Sequence, residues 1–195
     1  FAALLQDNIK RLLAYSSIGN MGFALVGLTA SNTEGVAAVI VYMIIYMVMT
    51  AGTFGVVLSM RRGGQALEKI SDLSGLSRNS PALAYALAIL MFSMSGIPPL
   101  AGFFGKFLVF KAAVDGGLYV LAVTGVVLSV VSAYYYLRII KVMFFDEPVA
   151  AYDHAIPFSR KLITTFSVAT VVVFILIPSP VIDFAKGAAF ALFNG

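Results

Sequence analysis

The chain has 195 residues, 61% of them hydrophobic and only 11% charged, with no cysteine and a formal charge of +4. That composition excludes an ordinary soluble domain. The missing thiols exclude disulfides, thiolate metal sites, haem attachment and iron–sulfur ligation by this chain. The basic excess reads as loop lysines and arginines beside a membrane, and no nucleic-acid partner is expected.

Long apolar runs recur without alternating, so the expected fold class is an all-α polytopic membrane protein and not a β-barrel. The chain opens at Phe1, without an initiator Met or a signal-peptide pattern, and reads as a piece of a longer protein. Residues 1–5 suit the tail of a further helix. After the polar stretch Gln6-Asp7-Asn8-Ile9-Lys10-Arg11, a first membrane helix is expected over about 12–30. A short connection carrying only Glu34 leads to a second over about 36–60. Residues 61–80 are too polar for the membrane. Leu67, Ile70, Leu73 and Leu76 recur there at three-residue spacing and predict a short amphipathic surface helix. A long apolar stretch covers 81–114, followed by a connection carrying only Asp115. A fourth helix is expected over about 118–140, a polar loop over 141–161 and a fifth helix over about 162–184. All of this forms a single membrane domain.

The 81–114 stretch is the unusual one. As a straight helix it would span about 51 Å, against a hydrocarbon core of about 30 Å. Inside it lies Ser95-Gly96-Ile97-Pro98-Pro99-Leu100-Ala101-Gly102-Phe103-Phe104-Gly105-Lys106-Phe107. Each proline lacks an N–H and clashes with the preceding turn, Ile97 is pushed out of the helical region, and the flanking glycines tolerate irregular backbone. Two half-helices are therefore expected, about 81–96 and 103–114, with Ser80 as N-cap and Pro81 at the first helical position of the first. Discontinuous helices of this kind mark ion sites in transporters.

Charge distribution sets the topology. Ten of the thirteen basic residues fall at residues 6–11, 61–80 or 138–161, all on one side of the expected bundle; Lys106, Lys111 and Lys186 are the exceptions. The positive-inside rule then places the 61–80 and 141–161 loops in the cytoplasm and the C-terminus on the periplasmic face.

Lys106 is the leading candidate. A charge at membrane depth costs several kcal/mol and marks function by default. The positive N-terminal end of the second half-helix disfavours its ammonium, whereas the C-terminal carbonyls of the first, near Ser95 and Gly96, favour it. The bland alternative is a lysine that snorkels to an interface, which is the expectation for Lys111. Weaker proton-path candidates are Tyr42, Tyr46 and Thr50, which share a face at i, i+4 and i+8, and Tyr134 in the run Tyr134-Tyr135-Tyr136-Leu137-Arg138. Hydroxyls that glue helices together, and an aromatic belt with an Arg anchor, explain these residues equally. Ser129 and Ser132 could extend a polar path. Asp7 and Lys10, clustered with Arg11, read either as flanking charges with a local ion pair or as a coupling contact. His154 sits in a loop beside Asp153 and is a lone histidine. No phosphate loop, metal-binding spacing or nucleophile elbow is present.

Two stretches carry a resemblance. Lys10-Arg11-Leu12-Leu13-Ala14-Tyr15-Ser16-Ser17 followed by Gly22, and Ser95 to Phe103 with Lys106, resemble the antiporter-like proton-pumping subunits of respiratory complex I and their cation/proton antiporter relatives. Gly105-Lys106-Phe107 stands where other members usually carry Ser-Lys and an acid, and tyrosines replace the histidines and lysine of the second helix. With the run Ala133 to Arg138, these details indicate one branch of the family. The resemblance implies a fold of two inverted five-helix repeats, of which this chain would be most of the second, with one broken helix, plus the C-terminal helix. It implies that Lys106 carries protons in a membrane-arm subunit of NADH–quinone oxidoreductase. No cofactor is expected on this chain; NADH, FMN, iron–sulfur clusters and quinone would belong to other subunits. Expected partners are lipids and other membrane-arm subunits, including neighbouring antiporter-like ones, in a bacterial inner membrane. The competing readings are a subunit of a cation/proton antiporter or membrane hydrogenase, and a purely structural bundle.

Overall fold

The computed structural model describes residues 2–149, 152–153 and 157–194. A 3-10 turn at Ala2–Leu5 precedes helix α1, Ile9–Leu28. Asn8 caps α1: its side-chain oxygen accepts from the Lys10 and Arg11 N–H groups at 2.9 and 3.1 Å. Helix α2, Thr33–Val57, is capped in the same way by Asn32. It is the central post of the bundle. Its small and β-branched residues sit at close crossings, and a Cβ on Gly52 would meet Ser167 at 2.4 Å.

Helix α4, Pro81–Ser95, and helix α5, Ala101–Asp115, follow a one-turn helix α3, Leu76–Asn79. Helix α6 covers Tyr119–Phe145, α7 Phe158–Val173 and α8 Ser179–Asn194. Helices α1, α4, α5, α7 and α8 all pack on α2, and α6 packs on α4. Two helices, α2 and α6, are long and apolar enough to cross a membrane alone. Helices α4 and α5 have 15 residues each, about 22 Å, too short for a core of about 30 Å. They cross as an in-line pair. Helix α4 starts beside the 61–80 segment, and α5 ends where Gly116 approaches Ala30 at the α1–α2 turn.

The chain contains a second in-line pair, which corrects the single fifth helix expected over 162–184. Helix α7 stops at Val173 and α8 starts at Ser179. Pro178 has no N–H and keeps Ile177 out of the helical region, so one continuous helix cannot form. Arg160 donates to the Leu58 carbonyl at one end of α2, and Lys186 approaches Glu34 at the other end, 3.8 Å away. The pair therefore runs the length of α2 in the opposite direction.

The polar segments meet at one end of the bundle. Ile9 N–H donates to the Glu68 carbonyl, and Ile70 N–H to the Asp7 carbonyl, both at 2.8 Å. The expected amphipathic helix within 61–80 is replaced by a small hairpin pairing Arg61–Arg62 with Gln65–Ala66, a 3-10 turn at Ile70–Leu73 and α3. Gly63, Gly64 and Gly75 adopt positive φ and break any longer helix. The apolar spacing still matters: Ile70, Leu73 and Leu76 are all buried. Tyr152 donates its hydroxyl to the Asp72 carbonyl, and burial pushes that hydroxyl's pKa up to about 12. His154 lies outside the described residues.

A close backbone approach joins the two halves of the first pair. A Cβ on Gly102 would lie 1.9 Å from the Ser93 carbonyl oxygen. Gly102→Ala should thus destabilise the folded protein by about 1–3 kcal/mol, the usual cost of overpacking. Thermal unfolding in detergent checks this; an unchanged midpoint would show that the two half-helices are free to separate.

Candidate functional site

The break between α4 and α5 creates the site. Gly96 adopts φ +85, which ends α4 in a left-handed turn. Its N–H returns to the Ser93 carbonyl at 3.0 Å, and Ile97 N–H to Phe92 at 3.2 Å. The next two carbonyls, of Met94 and Ser95, have no N–H to accept from, because Pro98 and Pro99 carry none. The Lys106 ammonium takes them instead, at 2.9 and 3.2 Å, and donates a third bond to Ser129 Oγ of α6 at 2.9 Å. Three donors meet three oxygens. At the other side of the gap the Ser93 hydroxyl accepts from Gly102 N–H at 3.0 Å, capping α5, and points its own proton at the Met49 sulfur.

Lys106 is 5% exposed and stands 5.1 Å from the centroid of the Phe23 ring. It does not snorkel. Of the two opposing helix ends weighed for it, the carbonyl end of α4 holds the ammonium. A cleft of about 580 Å³ between α5 and α6 opens beside it, lined by Phe103, Phe107, Val126 and Val130. Lys111 pairs with Asp115 at 2.5 Å one turn along α5.

One turn of α1 from Phe23 lies a second polar cluster. Asn20 accepts from the Tyr42 hydroxyl at 2.8 Å and donates to the Tyr136 hydroxyl at 3.2 Å and to the Ser16 carbonyl at 2.9 Å. The Tyr46 hydroxyl donates to Ser17 at 2.7 Å, and its ring stacks on Tyr42. Gly105 lets α5 approach this cluster, since a Cβ there would meet the Tyr42 ring at 2.9 Å. Asn20 and Tyr42 lie eight or more residues from either end of their helices, about 12 Å or more.

The candidates divide accordingly. Lys106, Tyr42 and Tyr46 line the interior, together with Ser129. Thr50 lies on the same helix, but its buried hydroxyl finds no partner among the described residues. Tyr134 is 62% exposed and faces outward; Tyr135 and Tyr136 are the members of that run that turn inward. Asp7 and Lys10 belong to the loop end and do not pair locally. Asp7 reaches Arg138 of α6 at 2.7 Å, and Lys10 reaches Glu68 at 2.7 Å. Asn20 is the residue that sequence reasoning missed. Its signal was available: an amide inside an apolar run, one turn from Ser16 and Ser17.

The model of one family, described as NADH:quinone oxidoreductase/Mrp antiporter, TM, matches residues 1–132. The chain belongs to that family. Subunit N of NADH-quinone oxidoreductase from Methylobacterium nodulans is 58% identical over 193 residues, 99% of this chain and 40% of that protein. The subunit N of Paramagnetospirillum magneticum is 54% identical over the same shares. That is the branch indicated by Gly105-Lys106-Phe107. This chain spans about two fifths of the length of these relatives. Among solved structures, a chain of respiratory complex I from Thermus thermophilus superposes with a TM-score of 0.81 at 33% identity, covering 93% of this chain and 41% of that one. A chain of the Mrp complex from Dietzia sp. superposes with a TM-score of 0.85 over 98% of this chain and 44% of that one; at 21% identity it shows the fold alone. The fold is antiporter-like, with the α4–α5 break at its centre.

Two measurements test this geometry. Asn20→Leu takes one partner from each of two buried tyrosine hydroxyls and should cost about 1–3 kcal/mol. Adding Tyr42→Phe and Tyr136→Phe should recover most of that loss in thermal unfolding; additive losses would show that the three do not form one cluster. At the loop end, the Lys10 hydrogen bond, helped by Asn8, holds the Glu68 carboxyl below its usual pKa. Its tie to α1 is then complete above the ordinary carboxylate pKa of about 4.3. The tie is lost as pH falls through the lowered folded value. Proteolysis near Gly63-Gly64 should rise with acid in that window, and Glu68→Gln should remove the pH dependence; identical profiles would refute it.

Proposed function

We propose that the chain is part of a proton-translocating membrane-arm subunit of an NADH–quinone oxidoreductase of the complex I type. In this reading it couples quinone reduction elsewhere in the complex to proton movement and carries out no redox chemistry itself. The observation that carries the proposal is Lys106: one buried ammonium, held in a helix gap by two carbonyls and a serine hydroxyl.

Lys106 receives and releases a proton in that gap. The carbonyls of Met94 and Ser95 orient the amine, and Ser129 offers a hydroxyl that both donates and accepts. The Asn20, Tyr42 and Tyr136 cluster, one turn of α1 from the Phe23 ring beside Lys106, and the Tyr46–Ser17 pair supply further exchangeable protons. Carrying one charge across 100 mV costs about 2.3 kcal/mol. A hundredfold change in proton affinity at Lys106, about 2.7 kcal/mol, is enough to drive that step. NADH, flavin, iron–sulfur and quinone sites fall to partner subunits, and neighbouring antiporter-like subunits flank the chain. The basic loop end faces the cytoplasm and α8 ends toward the periplasm of a bacterial inner membrane, as the positive-inside rule requires.

Relatives at 51–58% identity, all named subunit N, support this reading over a stand-alone cation/proton antiporter or a membrane hydrogenase. A structural bundle would leave Lys106 packed without polar neighbours, and it has three.

Lys106→Ala in the full-length protein should abolish NADH-driven proton uptake by vesicles while leaving the complex assembled. Lys106→Arg keeps a cation but cannot release its proton, so it should fail as well. Normal pumping by assembled Lys106→Arg would mean that a fixed charge suffices and that this lysine does not cycle.

A further inference from the structure

A groove of about 770 Å³ lies between α4 and α7. Its walls are mostly apolar: Ala86 and Ile89 come from α4, and Val168, Ala169 and Val172 from α7, with Thr164 and Thr165 nearer the loop end. Its loop end is not. Arg160 and Lys161 stand there, and among the described residues neither forms an ion pair with a carboxylate. Arg160 is held in place by the bond from its Nη1 to the Leu58 carbonyl at 2.6 Å, which leaves the rest of its fork available.

Length limits the occupant. From Lys161 to Val173 the groove follows thirteen residues of α7, a rise of about 18 Å. That is little more than half of the roughly 30 Å core, or one leaflet. It ends where α7 ends. A partner helix crossing the whole membrane needs a continuous face, and this one stops at mid-depth. An acyl chain hanging from a headgroup at Arg160 and Lys161 needs only one leaflet.

We infer that the α4–α7 groove is a binding site for an anionic phospholipid, with its phosphate on Arg160 and Lys161 and one acyl chain along Ile89, Val168 and Val172. The planar fork of Arg160 suits phosphate oxygens, with Lys161 adding a second point charge. Basic pockets between membrane helices recognise anionic headgroups by this chemistry. The site owes nothing to Lys106 and stands whether or not the chain moves protons.

The test uses the full-length protein in its purified assembly, delipidated and placed in nanodiscs. The discs hold phosphatidylcholine with a minor fraction of phosphatidylglycerol, one of the two carrying a photoreactive acyl chain. Two basic residues should enrich phosphatidylglycerol over phosphatidylcholine by about thirtyfold, with crosslinks on Ile89 and Val168. Arg160→Gln with Lys161→Gln should bring the two lipids level, whereas Arg160→Lys with Lys161→Arg should keep most of the preference. Ala169→Trp fills the groove with both cations intact and should remove the crosslinks; it decides the matter if the double glutamine variant does not assemble. Equal labelling by both lipids in the wild type, crosslinks to another polypeptide at Ile89 and Val168, or undiminished crosslinks in Ala169→Trp would overturn the proposal.

Discussion

A helix that stops inside a membrane leaves carbonyls that water cannot reach, and each costs several kcal/mol if nothing accepts the role of donor. Most of the interior follows from how α4 solves this. Gly96 turns the chain so that backbone N–H groups serve Phe92 and Ser93. Pro98 and Pro99 then deny the same remedy to Met94 and Ser95, and the Lys106 ammonium supplies the missing donors from across the gap. Reaching them requires the start of α5 to lie against the end of α4. Gly102 permits that approach, and Gly105 lets the next turn of α5 press on Tyr42 of the central helix. The lysine is therefore part of the helix break itself: the charge that makes it costly to bury is what completes the broken helix.

The second break is built differently. Between α7 and α8 the N–H groups of Leu176 and Ile177 return to the Val173 carbonyl, so the chain closes its own turn. Leu176 and Ile177 are also exposed, which for a membrane surface means contact with apolar surroundings rather than with a polar interior. The two breaks touch through Phe104 and Phe174, whose ring centroids lie 6.1 Å apart. One gap thus holds a cation and the other an aromatic contact, although both lie at prolines.

The contrast explains what was legible in the sequence. Apolar run lengths located α2 and α6, and the Ser95 to Lys106 motif located the first break, because proline and glycine act locally. Pro178 and Pro180 carried the same local signal, but a run of normal spanning length around them concealed it. Helix faces were harder. Spacing put Tyr42, Tyr46 and Thr50 in one row, yet only tertiary packing decides that Tyr42 meets Asn20 and that the Thr50 hydroxyl finds no hydrogen-bond partner among the described residues. Within Tyr134-Tyr135-Tyr136 the residues differ only by 100° steps around α6, and the sequence offers no reason to prefer the last. Long-range ion pairs were invisible for the same reason: Asp7 finds Arg138, 131 residues away.

The way Lys106 is compensated bears on what it can do. Among the described residues it forms no ion pair, so its charge is balanced by the α4 carbonyl dipoles and by Ser129. Had a buried carboxylate been the partner, loss of the lysine proton would strand a negative charge, at a cost of about 3–5 kcal/mol for a broken buried pair. Carbonyl oxygens impose no such penalty: a neutral amine still has two N–H donors for them, and its lone pair can accept from the Ser129 hydroxyl. The gap therefore accommodates both charge states with nearly the same atoms in nearly the same places. The Phe23 ring, 5.1 Å away, adds a preference for the cation to that of the carbonyl dipoles. A side chain that can change charge without disturbing the helices around it is best held in this way, by dipoles rather than by an opposite ion.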